Sequence, residues 1–162
     1  MDIYLIRHAD ALPQGSNGIE SDEARPLSEL GWKQAAELGN AFKKRGIRFD
    51  LIATSPLARA SQTAQQLRLA LDIPDAQVET RDELAPSGRP KKLSRYVNGL
   101  TADSVALVGH QPDLSLYAAW LLGEKEVQVH FAKAGAALIR LEGSFTKGSG
   151  ELMWLVTPEW VA

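Results

Sequence analysis

Short apolar runs that stop abruptly at polar residues alternate along this chain with longer stretches whose apolar positions recur every three or four residues. That alternation predicts β/α units built on a largely parallel sheet. The first strand is expected at Ile3 to Ile6. A loop with Pro13, Gly15, Asn17 and Gly18 follows, and Ser28 is placed to cap a helix whose Ala35, Leu38, Gly39 and Phe42 form one buried stripe. A second strand runs from about Phe49 to Thr54. Ser55-Pro56 then opens a helix with Leu57, Ala60, Ala64, Leu67 and Leu71 on one face, and Pro74 ends the segment.

A weaker helix is expected around Pro90 to Leu100, ahead of the clearest buried strand, Val105 to Val108. Pro112 and Asp113 open a further helix that ends near Gly123. The last two runs, Ala136 to Leu141 and Leu152 to Val156, are joined by the Gly- and Ser-rich stretch Gly143 to Gly150, which reads as a hairpin and so as an antiparallel edge.

Length and composition narrow this frame. A chain of 162 residues that is 44% apolar can bury a sizeable core and is expected to form one domain, residues 1–162, with no repeat, low-complexity tract or long linker. The absence of cysteine excludes disulfides, thiolate metal sites and cysteine nucleophiles. The opening Met1-Asp2-Ile3-Tyr4-Leu5-Ile6 has an acid where a signal peptide needs basic residues, and its apolar run is strand-length, so a cytoplasmic protein with no membrane segment is expected. Eighteen basic residues against twenty acidic ones give no general positive field for nucleic acid. The cluster Arg89, Lys91, Lys92 and Arg95 reads as a solvated helix face.

In open α/β sheets ligands bind beyond the carboxyl ends of the strands. Arg7-His8 follows the first run, Ser55-Pro56 the second with Arg59 one helical turn on, and Gly109-His110 follows Val105 to Val108. Each of these residues alone is compatible with a structural or surface role. Together they bring two histidines and two arginines to one sheet edge. Such a set is poor in the carboxylates that magnesium or calcium would want, so no metal or other cofactor is expected. It is rich in groups that bind phosphoryl oxygens. A neutral imidazole can attack phosphorus, and a second histidine can donate to the equatorial oxygens. His130 lacks such a setting and reads as structural or solvated.

At Leu5-Ile6-Arg7-His8-Ala9 the sequence resembles the histidine phosphatase superfamily, the phosphoglycerate mutase-like group, whose signature is Arg-His-Gly at the end of the first strand. The resemblance extends through Arg25-Pro26-Leu27-Ser28 with Gly31, through Thr54-Ser55-Pro56-Leu57-Ala58-Arg59-Ala60 with Gln62-Thr63-Ala64, and through Val108-Gly109-His110-Gln111-Pro112. It implies a three-layer α/β sandwich with helices on both faces of the sheet. It also implies that His8 is the phospho-accepting nucleophile, that Arg7 and Arg59 bind the phosphoryl group, and that His110 is the second active-site histidine. Ala9 departs from the family's glycine by one methyl group.

The short Thr63-to-His110 spacing leaves little room for a capping insertion and is similar to that of the SixA-like phosphohistidine phosphatases, which implies a phosphorylated protein as substrate. Many relatives supply a glutamate as general acid, for which Glu83 is the candidate, while Ser55 and Thr63 are candidates to line the pocket. A small-molecule phosphomonoesterase or mutase, in which Glu83 would matter greatly, and a non-catalytic phosphate-binding module are the competing readings.

Overall fold

The computed structural model describes residues 1–124 and 127–161. Six strands form one sheet: β1 (Asp2–Arg7), β2 (Leu51–Thr54), β3 (Val78–Thr80), β4 (Ser104–Gly109), β5 (Ala136–Leu141) and β6 (Gly150–Val156). Their order across the sheet is β3-β2-β4-β1-β5-β6. β3, β2, β4 and β1 pair in parallel, whereas β5 runs against both β1 and β6. The hairpin β5-β6 is therefore the antiparallel edge pair of a mostly parallel sheet.

Residues alternate in side along a strand, so β1 feeds two cores. Ile3 and Leu5 point into a cluster with Leu93 and Val97 of α3 (Pro90–Asn98) and with Leu114, Tyr117 and Leu121 of α4 (Asp113–Leu121). Tyr4 and Ile6 point into a second cluster with Leu38 and Phe42 of α1 (Glu29–Lys44) and with Ala60, Ala64 and Leu67 of α2 (Ala58–Ala70). The sheet is thus the middle layer of three, with α1 and α2 on one face and α3 and α4 on the other. A last short helix, α5 (Pro158–Val161), packs on α1.

Ser28 caps α1 as its position suggests, its Oγ accepting the Gly31 amide at 3.0 Å. Three boundaries differ from the periodicity. β2 begins at Leu51 rather than Phe49, and just ahead of it the Asp50 carboxylate accepts the amides of Asp103 and Ser104 while the Asp50 amide donates to the Ser104 carbonyl. α2 begins at Ala58 with Leu57 as its N-cap, one turn-half later than Ser55-Pro56. The reason is chemical: the Ser55 hydroxyl is engaged by the Leu57 amide and by His110. β6 extends back to Gly150, where Leu152 would have opened it. The three-residue β3 and the four-residue α5 are too short to show a period. Among the described residues, no helix is long and apolar enough to cross a membrane.

Candidate active site

Because β1, β2 and β4 are parallel and in register, with Arg7 opposite Gly109 and Thr54 opposite Val108, their carboxyl ends are level. The first crossover leaves β1 for β2 and skips one place, which β4 later fills, so the crevice beyond these ends is a topological switch point. The structure brings Arg7, His8, Ser55, Arg59 and His110 together there. His8 is fastened from both sides: its amide donates to the Gly109 carbonyl at 3.0 Å, and its carbonyl accepts from Ala134 at 3.2 Å.

His8 is 8% exposed and its ring lies 5.1 Å from that of His110. Its Nδ1 is 2.7 Å from the Ala9 carbonyl oxygen, which can only accept, and its Nε2 is 3.2 Å from Arg59 Nε, which can only donate. Both contacts demand the same tautomer: the proton on Nδ1 and the lone pair on Nε2. Burial pushes the His8 pKa down to about 4, with Arg59, Arg7 and Lys133 acting the same way and the Ala9 carbonyl acting against them. At neutral pH the ring is an uncharged base whose lone pair faces a cation.

His110 is 3% exposed, and its pKa is lowered to about 3 by burial and by the neighbouring His8 and Arg59. Its Nε2 lies 2.8 Å from Ser55 Oγ, which accepts the Leu57 amide at 3.3 Å. The Ser55 hydroxyl can donate to a bare Nε2 or accept from a protonated one, so this contact positions the ring with either nitrogen of a neutral His110 carrying the proton. His110 Nδ1 and Arg7 Nε are the buried side-chain nitrogens without a partner among the described residues. Buried polar groups are almost always paired, so the unsatisfied Arg7 Nε–H donor and the unpartnered His110 Nδ1 mark a place for a polar group from outside the chain.

Arg59 is 5% exposed. Its outer nitrogens meet the Asp22 carbonyl at 2.6 Å and the Asp22 carboxylate at 2.9 Å. Asp22 is held ionised by Arg25, against its own burial, and by Arg59. It therefore occupies the guanidinium fork as an anionic ligand would. Lys133, on the loop before β5, pairs with Asp10 at 2.5 Å.

Thr63 accepts the Ala9 amide at 3.1 Å and donates to the Arg59 carbonyl at 2.7 Å, tying the loop after β1 to the helix that carries Arg59. It braces the pocket rather than lining it. The Arg-Pro-Leu-Ser element closes the same loop: Leu12 donates to Pro26, Ser28 donates to Asp10, and Ala11 bridges Leu27. Gly31 has no room for a side chain, since a Cβ would stand 1.9 Å from the Asp10 carbonyl oxygen. The Ala9 methyl is fully buried in a small cluster with Leu27, Ala35 and Ala134, so this pocket accommodates what glycine would leave empty.

Glu83 stands in a 3-10 turn beside the site and borders, with Gly109 and His110, one small cavity. Arg81 contacts both its oxygens at 3.2 Å. Burial raises its pKa, but its own backbone amide and Arg81 outweigh that, and the net shift is downward. Glu83 is thus an anion at neutral pH, whereas a general acid needs a proton to give. His130 is exposed. Asp22, Asp10 and Lys133 were not singled out from the sequence; the spacing Asp22 to Arg25, ahead of Pro26, was the only local signal of the first.

A mostly parallel sheet whose switch point holds two uncharged histidines among arginines, with unpartnered nitrogens beside them, is the arrangement of α/β proteins that handle phosphoryl groups. The chain belongs to the histidine phosphatase superfamily (branch 1), whose family model matches residues 3–86. It is 28% identical to phosphohistidine phosphatase SixA of Escherichia coli over 98% of this chain and 94% of that protein. It is 31% identical to an uncharacterized protein of Picosynechococcus sp. over 99% of each. Its fold matches the structure of protein histidine phosphatase SixA complexed with tungstate, with a TM-score of 0.88 and 27% identity over 100% of both chains.

Proposed function

We propose that this protein is a phosphohistidine phosphatase working through a covalent intermediate on His8 Nε2. The observation that carries the proposal is the double fixing of the His8 tautomer, which leaves an uncharged lone pair on Nε2 beside Arg59. In the first step that lone pair forms a bond to phosphorus while the bond from phosphorus to the substrate imidazole breaks. The bonding electrons stay on the departing nitrogen, which takes a proton from solvent. Arg59, Arg7 Nε–H and, in the tautomer protonated on Nδ1, His110 hold the equatorial oxygens, whose charge must be supported throughout. Water then bonds to phosphorus, the electron pair returns to Nε2, and inorganic phosphate leaves.

Imidazole as leaving group fits the state of Glu83. Its conjugate acid has a pKa of ~6.5, so departure does not require a dedicated acid, whereas an alkoxide leaving group does. The segment between Thr63 and His110 is consumed by the rest of α2, β3, α3, β4 and two three-residue 3-10 turns, Asp75–Gln77 and Asp82–Leu84, which leaves no long insertion to roof the site. Full-length similarity to SixA of Escherichia coli supports the same substrate class, a histidine-phosphorylated protein.

The test is phosphate release from a phosphohistidine peptide and from p-nitrophenyl phosphate at matched concentrations. The expected result is a strong preference for the peptide, no turnover by His8→Ala with the fold intact by circular dichroism, and less than about threefold loss for Glu83→Gln. Preference for the ester together with a Glu83→Gln collapse of about 100-fold or more, the size typical of a lost general acid, would establish a phosphomonoesterase instead.

A further inference from the structure

Beside the site, α3 carries a concentration of positive charge that the phosphatase chemistry does not use. Arg89, Lys91, Lys92 and Arg95 are all exposed, and none meets a carboxylate among the described residues. Elsewhere among the described residues Arg25, Arg59, Arg68, Arg81 and Arg140 each have an acidic partner while Arg7, Arg45 and Arg48 do not, and the unpaired cations around α3 are distinguished by lying within seven consecutive residues. The acids around α3 are already engaged: Glu79 accepts the Tyr96 hydroxyl, Glu83 binds Arg81, and Asp113 accepts the Ser87 amide. Among the described residues no carboxylate lies within ion-pair distance of the four cations, in a chain whose acids outnumber its bases.

The patch adjoins the chemistry. Arg89 borders the same small cavity as His110, and Arg89 and Lys92 line the open hollow that Glu83 shares. Buried Leu93, Ser94 and Val97 fix the roll of α3, so its basic residues are turned outward. Unpaired like charges on one short helix repel one another and cost some stability unless an anionic surface meets them. A long polyanion such as nucleic acid would run from this patch onto the acidic remainder of the molecule, whereas a local cluster of carboxylates would not.

Building on the phosphohistidine reading, we infer that Arg89, Lys91, Lys92 and Arg95 form a docking surface for an acidic stretch of the substrate protein next to its phosphohistidine. Complementary rim charges act chiefly on encounter and orientation, so the effect belongs in kcat/KM and fades with salt.

The experiment uses two synthetic phosphohistidine peptides, one flanked by glutamates and one by glutamines, with phosphoramidate as a small donor that reports the chemistry alone. Wild type is expected to favour the acidic peptide by about tenfold in kcat/KM at low ionic strength, with the preference vanishing at high salt. The Lys91→Glu/Arg95→Glu variant, at the two patch residues that line neither cavity, is expected to lose that preference while its phosphoramidate turnover is unchanged. Equal use of both peptides by wild type, or a preference that survives in the variant, would overturn the docking surface and leave the phosphohistidine activity standing. Hydrolysis of phosphoramidate with neither peptide cleaved would overturn the substrate reading and the docking surface with it.

Discussion

At His8, two hydrogen bonds that each allow one direction of donation decide where the proton lies, and burial among cations keeps a second proton away. The consequence is a pH profile. A nucleophile with a pKa of about 4 stays uncharged through the range where an ordinary histidine, near ~6.5, would titrate. Corrected for spontaneous hydrolysis of the substrate, kcat/KM should therefore show no loss with a midpoint near 6.5 as the pH falls from 8 to about 5. A fall centred there would mean that the ring is hydrated and the geometry wrong.

Asp22 makes a second case at this scale. Its carboxylate sits 2.9 Å from Arg59 Nη2, so an incoming phosphoryl group competes with it for the guanidinium. In Asp22→Asn the competing charge is gone, and inorganic phosphate is expected to inhibit several-fold more tightly, as measured by its competitive inhibition constant. Unchanged or weaker inhibition would show that Asp22 instead organises Arg59 for the anion. Arg7, His8, Arg59 and His110 were legible because each stands directly after, or one turn beyond, an apolar strand run. Asp22 with Arg59 and Asp10 with Lys133 were not, because the partners are 37 and 123 residues apart and no local pattern records the pairing.

At the scale of elements, the site depends on how the loop after β1 is pinned to α1 and α2. Gly31 lets the first turn of α1 approach the Asp10 carbonyl, and a methyl there must push backbone apart. Gly31→Ala is expected to cost about 1–3 kcal/mol in thermal unfolding, the usual range for overpacking, and to lower kcat because Asp10 lies two residues from His8. Thr63→Val leaves the Ala9 amide and Arg59 carbonyl without their shared hydroxyl, and should cost about 1–3 kcal/mol, with Thr63→Ser restoring most of it. An unchanged melting temperature in Thr63→Val would remove the bracing role.

Most elements could be read from period alone, since α1 and α2 carry one apolar stripe each and Val105 to Val108 is apolar on both faces. The start of α2 could not, because Ser55 looks like a helix cap in sequence but spends its hydroxyl on His110. β3 eluded the pattern because only Val78 of its three residues is even half-buried.

For the whole molecule, the alternation of strand and helix signals and the Gly-rich hairpin carried the three-layer architecture. What they could not carry was strand order: the placing of β4 between β2 and β1 follows from packing across the sheet, and that placing puts His110 beside His8. Burying two neutral histidines has a global effect. Both have folded pKa values below the unfolded value of ~6.5, so as pH falls through that value the unfolded chain binds protons that the folded one does not. Stability is intact above pH 6.5 and is lost progressively towards pH 4. The melting temperature should drop over that interval, and drop less steeply in His110→Ala than in wild type. A flat profile would contradict the burial of both rings.

The most direct measurement is to quench the enzyme during turnover of a phosphohistidine peptide, in alkali and in acid, and map the phosphoryl group by mass spectrometry. The account predicts an alkali-stable, acid-labile phosphoryl group on His8 that is absent from His8→Ala. Turnover with His8 unmodified, or a phosphoryl group on any other residue, would contradict it.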